Sequence, residues 1–447
     1  MSEKITESVK KALELIKKKN LEGDVIGVDK RKIDYDIEKG EISNSSEYQD
    51  FGLGIRVLKD SRIGFGYCVP GDEEKGVNRA VELSKHSSKI DISFPENGNI
   101  PSVKTYDKGI QNVVSENRGA ELAQMMIDGA SEVADDILPA RGGLVISLVE
   151  QTLGNTNGLL LKDKGTFIMG GLNSNINIGE TSLTASQTEE SRRYEIDFEK
   201  IGRKSGEKVD SLRDSYELPD GDIPVIISPD AVSQVMHFSL IPSFNGENVR
   251  KGKSFYEGRL GEKVAHDAFN LIDDPTLDWG IGSGEFDDEG VSSRRVHLIS
   301  DGTLKNFLYD LKEASKSETE STGNGMRAGF KSPPQIMHRN LVVRGEDKSV
   351  ESMYPDKGIY VDGVMGAHTA NSASGDFSVV ANPVWLIDDG EKQGRIDGVM
   401  ISGNFADLIE SIELADDYKK TYLSLGGSSF KMELPTARLN DITVSGK

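Results

Sequence analysis

A chain of 447 residues is too long for one ordinary hydrophobic core, so two units, or three, are expected. Its 74 acidic against 53 basic side chains leave a formal charge of -21, which argues against direct nucleic-acid binding, because that affinity depends on Lys and Arg neutralising phosphates. The single cysteine, Cys68, excludes an intrachain disulfide and a cysteine-cluster metal site, and no apolar run of about 18 residues offers a membrane span.

Met1-Ser2-Glu3-Lys4 leads straight into a helical pattern with no apolar leader core, which predicts a cytoplasmic protein. Ile5, Val9, Ala12, Leu13 and Ile16 recur at helical spacing up to about Asn20. Short strands are predicted at Asp24–Val28, Lys32–Ile37, Gly52–Leu58 and Arg62–Cys68, the last two joined through Lys59-Asp60-Ser61. Cys68 reads there as a small buried hydrophobe. Helices follow near Glu73–Lys85 and Glu116–Asp135. Then come strands Gly143–Gln151, Leu159–Lys162 and Thr166–Gly171, with Asp163-Lys164-Gly165 as the turn between the last two.

The polar stretch Glu189–Asp222 reads as a helix plus linker with a turn at Ser205-Gly206, and the boundary is placed near Asp220-Gly221-Asp222. Beyond it, one helix apart, the pattern is β. Strands are expected at Ile223–Ile227, Arg295–Ser300, Leu304–Leu308, Asn340–Val343, Gly358–Val361, Phe377–Ala381, Val384–Ile387 and Gly398–Ile401, with hairpin turns at Asp301-Gly302 and Asp388-Asp389-Gly390. The expected class is α+β. Residues 1–220 form a unit of helices against hairpin strands, and residues 221–447 a mainly antiparallel, barrel-like β unit.

The one helix of the second half resembles a site. Ser228 suits its cap, Pro229 and Asp230 its first turn, and Val232, Val235, Met236 and Leu240 its buried stripe; Pro242 stops it. His237 lies beside that stripe. A catalytic zinc needs three protein ligands and usually a nearby carboxylate, yet Phe238 follows His237 and no second histidine stands four or five residues away. No local two-histidine signature exists among the six histidines of the chain.

From His237 onward an ordered set of motifs resembles the TldD/PmbA family, once called modulators of DNA gyrase. The run Phe244-Asn245-Gly246-Glu247-Asn248-Val249-Arg250-Lys251-Gly252 is followed by Gly258-Arg259-Leu260-Gly261-Glu262-Lys263-Val264, Asp287-Asp288-Glu289-Gly290 and Asp301-Gly302-Thr303-Leu304-Lys305-Asn306-Phe307. Then come Thr322-Gly323-Asn324-Gly325, Ser374-Gly375-Asp376-Phe377-Ser378 and Gly398-Val399-Met400-Ile401-Ser402-Gly403-Asn404. The resemblance implies a cytoplasmic two-subunit metallopeptidase, in which TldD-type chains carry a His-Glu-x-x-x-His helix and a late cysteine. Here the first histidine matches His237, while the catalytic glutamate falls on Phe238, the second histidine on Pro242 and the cysteine near Ala381. The resemblance therefore implies a PmbA/TldE-type subunit with no catalytic or metal residue and no cofactor of its own. Zinc or a similar metal is expected in a TldD-like partner, bound as a heterodimer; a homodimer is expected when the chain is alone.

Unfolded peptide is the implied substrate, and an open backbone edge suits it because strand addition needs no particular side chain. His368, Ser374, Gly375, Asp376 and Phe377 are candidate peptide contacts, with a structural loop as the competing reading. Asn324 and Arg327 raise the same choice, Gly323-Asn324-Gly325 being a plain turn in the alternative. Two other functions stay open: a regulatory protein acting on gyrase or a toxin–antitoxin pair, and a stand-alone hydrolase built from His237, His297 or His338 with Asp287, Asp288 or Glu289.

Overall fold

The computed structural model describes residues 2–345, 348–425 and 428–446. Helix α1 (Ser2–Lys18) buries the predicted stripe of Ile5, Val9, Ala12, Leu13 and Ile16. After it come β1 (Glu22–Glu38), β2 (Glu41–Lys59) and β3 (Arg62–Cys68), then α2 (Glu73–Ser84), α3 (Lys108–Ser115) and α4 (Gly119–Ser131). Then β4 (Leu138–Asn155), β5 (Leu160–Ile178), β6 (Thr181–Ser191) and α5 (Phe198–Asp210) complete this half. The six strands form one antiparallel sheet in the order β3-β2-β1-β4-β5-β6.

The strands are longer than expected. Asp29-Lys30-Arg31-Lys32 stays within β1, and Asp163-Lys164-Gly165 is no turn: it lies inside β5, in register with Gln151, Glu150 and Val149 of β4. Charged side chains interrupt a hydrophobic pattern without interrupting a ladder, because main-chain bonds hold the strand and alternate residues point to opposite faces. The predicted helix Glu116–Asp135 is the shorter α4, and an unpredicted helix, α3, precedes it, with Asn117 at φ +55° between the two. Ser205-Gly206 is likewise inside α5 rather than a turn.

Period-two alternation gives the sheet two distinct jobs. On one face, Val25, Leu53, Ile55 and Val57 pack under α1 and α2, while Leu144, Ile146, Ile168 and Leu172 pack under α4 and α5. The opposite face receives the second half of the chain, with Ile26 and Leu153 against Phe286. Approach there is close: a Cβ built on Gly54 of β2 overlaps the main-chain oxygen of Phe330. Gly54→Ala is therefore expected to cost about 1–3 kcal/mol, read as a lower denaturant midpoint with unchanged slope.

The second half contains α6 (Pro229–Ser239), α7 (Gly246–Arg250), α8 (Leu311–Lys316) and several curled sheets on a shared core. A seven-stranded sheet contains Val225–Ile227, Lys357–Val361 and Val384–Asp388; a six-stranded one contains Asn270–Asp273, Val296–Ser300 and Leu341–Arg344. A four-stranded sheet pairs Val364–Met365, Asp376–Ala381, Met400–Asn404 and Thr443–Ser445 in that order. Most pairings are antiparallel, so the mixed α+β class holds. Both predicted Asp-Gly turns have positive φ at the central pair, at Asp301-Gly302 (47° and 69°) and Asp389-Gly390 (50° and 74°). The strand after the first is only Thr303–Leu304, shorter than the expected Leu304–Leu308.

Candidate functional site

Helix α6 begins as its sequence dictates, with Ser228 Oγ accepting from the Ala231 amide at 3.2 Å and Pro229 in the first turn. Ala231, Val232, Val235 and Met236 anchor it in the core, which leaves His237 and Phe238 half-buried at its rim. The helix stops at Ser239. Pro242 lies beyond it in a 3-10 turn, Ile241–Phe244, so positions 237 and 242 do not share one continuous helix.

A row of rings runs outward from this helix. The His237 ring lies 5.8 Å from His338 on one side and 4.8 Å, edge to face, from Phe238; Phe238 lies 6.5 Å from His368. Burial pushes His237 down to about 4. Burial, followed by the nearby His237 and Lys431, pushes His338 down to about 3. Both are neutral at pH 7, the form in which imidazole ligates metals. Ala381, however, is a core residue on Asp376–Ala381, and Phe238 and Pro242 bring no donor. These residues do not fit a catalytic metal. Among the described residues, no three of His, Cys, Asp and Glu are grouped to hold an ion. Cys68 is buried, and burial followed by Glu73 and Asp72 pushes its thiol up to about 11.

The stretch 366–376 lies against α6 through the 3-10 turn Ala367–Thr369. His368 is exposed there. Ser374 Oγ donates to Asp376 at 2.5 Å, and Asn404 Nδ2 donates to the Ser374 carbonyl at 2.8 Å and to Asp376 at 2.9 Å. Gly375 has φ +88°, and Phe377 is buried 6.2 Å from the Phe405 ring. Ser374, Gly375 and Asp376 thus form a hydrogen-bonded turn beside the exposed His368. On the adjoining four-stranded sheet, Met365, Val380 and Met400 are cross-strand neighbours and are exposed by 53%, 38% and 43%.

Asn324 and Arg327 are somewhere else entirely, in the interior between the two halves. Asn324 donates to Asp273 at 2.6 Å and to the Met337 carbonyl at 3.0 Å, while accepting from Thr322. The Arg327 amide donates to Asp288 at 2.7 Å, and its guanidinium lies 3.3 Å from Asp24. Asp24 is held chiefly by Arg56, its cross-strand neighbour, whose other arm reaches Glu289. Glu289 also accepts from the Leu311 amide at 2.7 Å. Burial acts to lower the Arg56 pKa, but Asp24 and Glu289 more than reverse it. Asp287 accepts from the amides of Glu289, Val291 and Gly325, and burial, then Glu289, raises its pKa.

Three residues proposed for a scattered metal site, Asp287, Asp288 and Glu289, therefore hold amides and Arg56 rather than facing His237. His297 is exposed on its strand, 3.2 Å from Ser300 Oγ. Arg56 and Asp24 were not singled out from sequence, although the signal was present: each is a charge set into an otherwise apolar strand.

The chain is similar to known proteins over nearly its whole length. Residues 220–446 match the profile of the PmbA/TldA metallopeptidase C-terminal domain, and residues 23–88 that of PmbA/TldA metallopeptidase domain 1. An uncharacterised protein of Methanocaldococcus jannaschii is 27% identical over 432 residues, covering 95% of this chain and 99% of its own. The crystal structure of TldE from Thermococcus kodakarensis superposes with a TM-score of 0.88 at 26% identity, covering 98% of this chain and 99% of that one. A Thermotoga maritima structure, described as a candidate modulator of a DNA gyrase, gives 0.87 at 26% identity with the same coverage.

Proposed function

This chain belongs to the PmbA/TldD metallopeptidase family, and on that premise we propose that it is the TldE-type, non-catalytic subunit of a peptidase acting on unfolded peptide. The observation that carries the reading is what occupies the α6 region: an aromatic ring at the position for the base, a proline outside the helix for the second ligand, and a core alanine for the thiolate. None of the three donates a lone pair to a metal or moves a proton. Zinc or a similar metal belongs, in this proposal, to a TldD-like partner in the cytoplasm. Among the described residues no helix is long and apolar enough to cross a membrane.

This chain's share of the work is then binding and positioning. The row Met365, Val380 and Met400 beside His368 supports a partner-facing role, because contiguous exposed apolar side chains on a sheet are characteristic of interaction surfaces. The purified chain, a TldD-like partner and their mixture would be assayed for cleavage of an unfolded peptide, with and without chelator. Cleavage only in mixtures containing the partner, weakened by Met400→Asp through loss of association, is expected. Chelator-sensitive cleavage by this chain alone would overturn the proposal.

A further inference from the structure

The face of the long sheet that receives the second half is not fully covered. Between them lies a cavity of about 300 Å³, into which Val145, Ser147, Val149 and Gln151 project as the alternate residues of β4. Five cations line it, Lys30, Lys32, Arg192, Arg339 and Lys431, against two carboxylates, Asp163 and Asp288; Lys164 also borders it but lies opposite Glu150 and turns its ammonium to Tyr106. In a chain of net charge -21 this is a local inversion of sign.

The two buried guanidiniums are held in place mainly by neutral acceptors, with carboxylates further off. Arg192 donates to the Ile281 carbonyl at 2.7 and 3.1 Å, and Arg339 to the carbonyls of Gly282 and Phe286 and to Ser293 Oγ, at 3.0, 3.0 and 2.8 Å. These neutral acceptors orient each guanidinium and leave its charge in place. Lys32 is paired with Asp34 at 2.7 Å, and Lys164 lies over the Tyr106 ring at 4.1 Å. Among the described residues neither Lys30, Arg192, Arg339 nor Lys431 has an ion-pair partner. Asp288 is committed to Gln151 and the Arg327 amide, and Asp163 to the Lys164 amide and Thr105. Burial, followed by Arg192 and Arg339, pushes Lys431 down to about 7, with Asp288 and Asp273 opposing.

A second cavity of about 560 Å³, walled by Tyr106 and Trp279, shares Gln151, Asp163 and Lys164 with the first but lies towards the helix-bearing side of the sheet, beside Ile5, Glu150 and Thr152. From Val145 to Gln151 alone the strand runs about 20 Å, the length of an extended segment of roughly six residues. We propose that this groove binds an extended acidic peptide, its carboxylates seated among Lys30, Arg192, Arg339 and Lys431. The inference rests on the peptide-handling role proposed above and adds the charge of the substrate.

The test uses the full-length chain without a partner, so it needs no cleavage and can fail independently of the subunit assignment. A fluorescent Glu-rich decapeptide and its Gln-rich counterpart are titrated by anisotropy, with inorganic phosphate as competitor. The Glu peptide is expected to bind at least tenfold tighter, and Lys30→Met and Lys431→Met each to weaken it at least tenfold, with melting temperatures equal to or above that of the parent. Salt weakens the binding. Equal affinity for the two peptides, or unchanged affinity in both variants, would overturn the proposal. So would displacement of the peptide by phosphate at equal concentration, which would mark a site for small oxyanions.

Discussion

Arg56→Met is expected to destabilise the protein by about 3–5 kcal/mol, because it leaves two carboxylates buried without their main counter-charge. The side chains of Asp24 and Glu289 are exposed by only 1% and 0%, so water cannot replace the guanidinium. Arg327 reaches Asp24 at 3.3 Å but does not bond Glu289. Arg56→Lys should recover little, since a single ammonium cannot serve Asp24 with one edge of a planar fork and Glu289 with the other. Adding Asp24→Asn and Glu289→Gln to Arg56→Met should recover part of the loss by removing the stranded charges. Denaturant unfolding of the parent and the three variants measures this; a loss below about 1 kcal/mol in Arg56→Met would contradict the assigned role. The network joins β1 and β2 to the 287–290 loop and the start of α8, so the same variant should loosen the groove between the halves.

The sequence was most informative where local chemistry decides the outcome. Ser228-Pro229-Asp230 starts α6 and the Asp-Gly pairs make hairpin turns, because caps and positive-φ turns depend on two or three neighbouring residues. It was least informative where tertiary contacts override the local pattern. Asp163-Lys164-Gly165 has turn composition, yet β4 holds it as strand, with Asp163 bonded to Thr105 and Lys164 over the Tyr106 ring. Asn324 and Arg327 look like loop residues awaiting a ligand. The fold places both indoors, bonded to Asp273, Asp288 and Asp24, which lie far away in sequence. The occupants of the α6 region were readable by resemblance alone, since Phe238, Pro242 and Ala381 mean little without a motif against which to read them. The cation-lined groove was not readable, because its walls come from β1, β4 and β5 together with segments around residues 192, 281–288, 326, 339 and 431.

Glu190→Gln is expected to flatten the pH dependence of stability and to stabilise the protein above pH 8. Glu190, on β6, is pushed up to about 8 by burial and then by Asp230 in the first turn of α6, with Lys419 opposing. Lys419 is already paired with Asp230 at 2.5 Å, so it cannot fully serve a second carboxylate. An acid whose folded pKa lies above its unfolded value keeps its proton better in the native state. Its contribution is therefore intact below the unfolded value, near 4.5, and is lost as pH rises towards 8. The slope is at most about 1.4 kcal/mol per pH unit, and partial solvent access reduces the total loss to roughly 2–4 kcal/mol. Glutamine keeps the shape and removes the ionisation. Other groups also titrate in this range, so the informative quantity is the difference between the parent and variant profiles from pH 5 to 9. That difference should be small at pH 5 and reach its full size by pH 8.5; parallel profiles would contradict it. Because Glu190 feels Asp230 in the first turn of α6, the same titration should weaken the anchoring of that helix as the solution becomes alkaline.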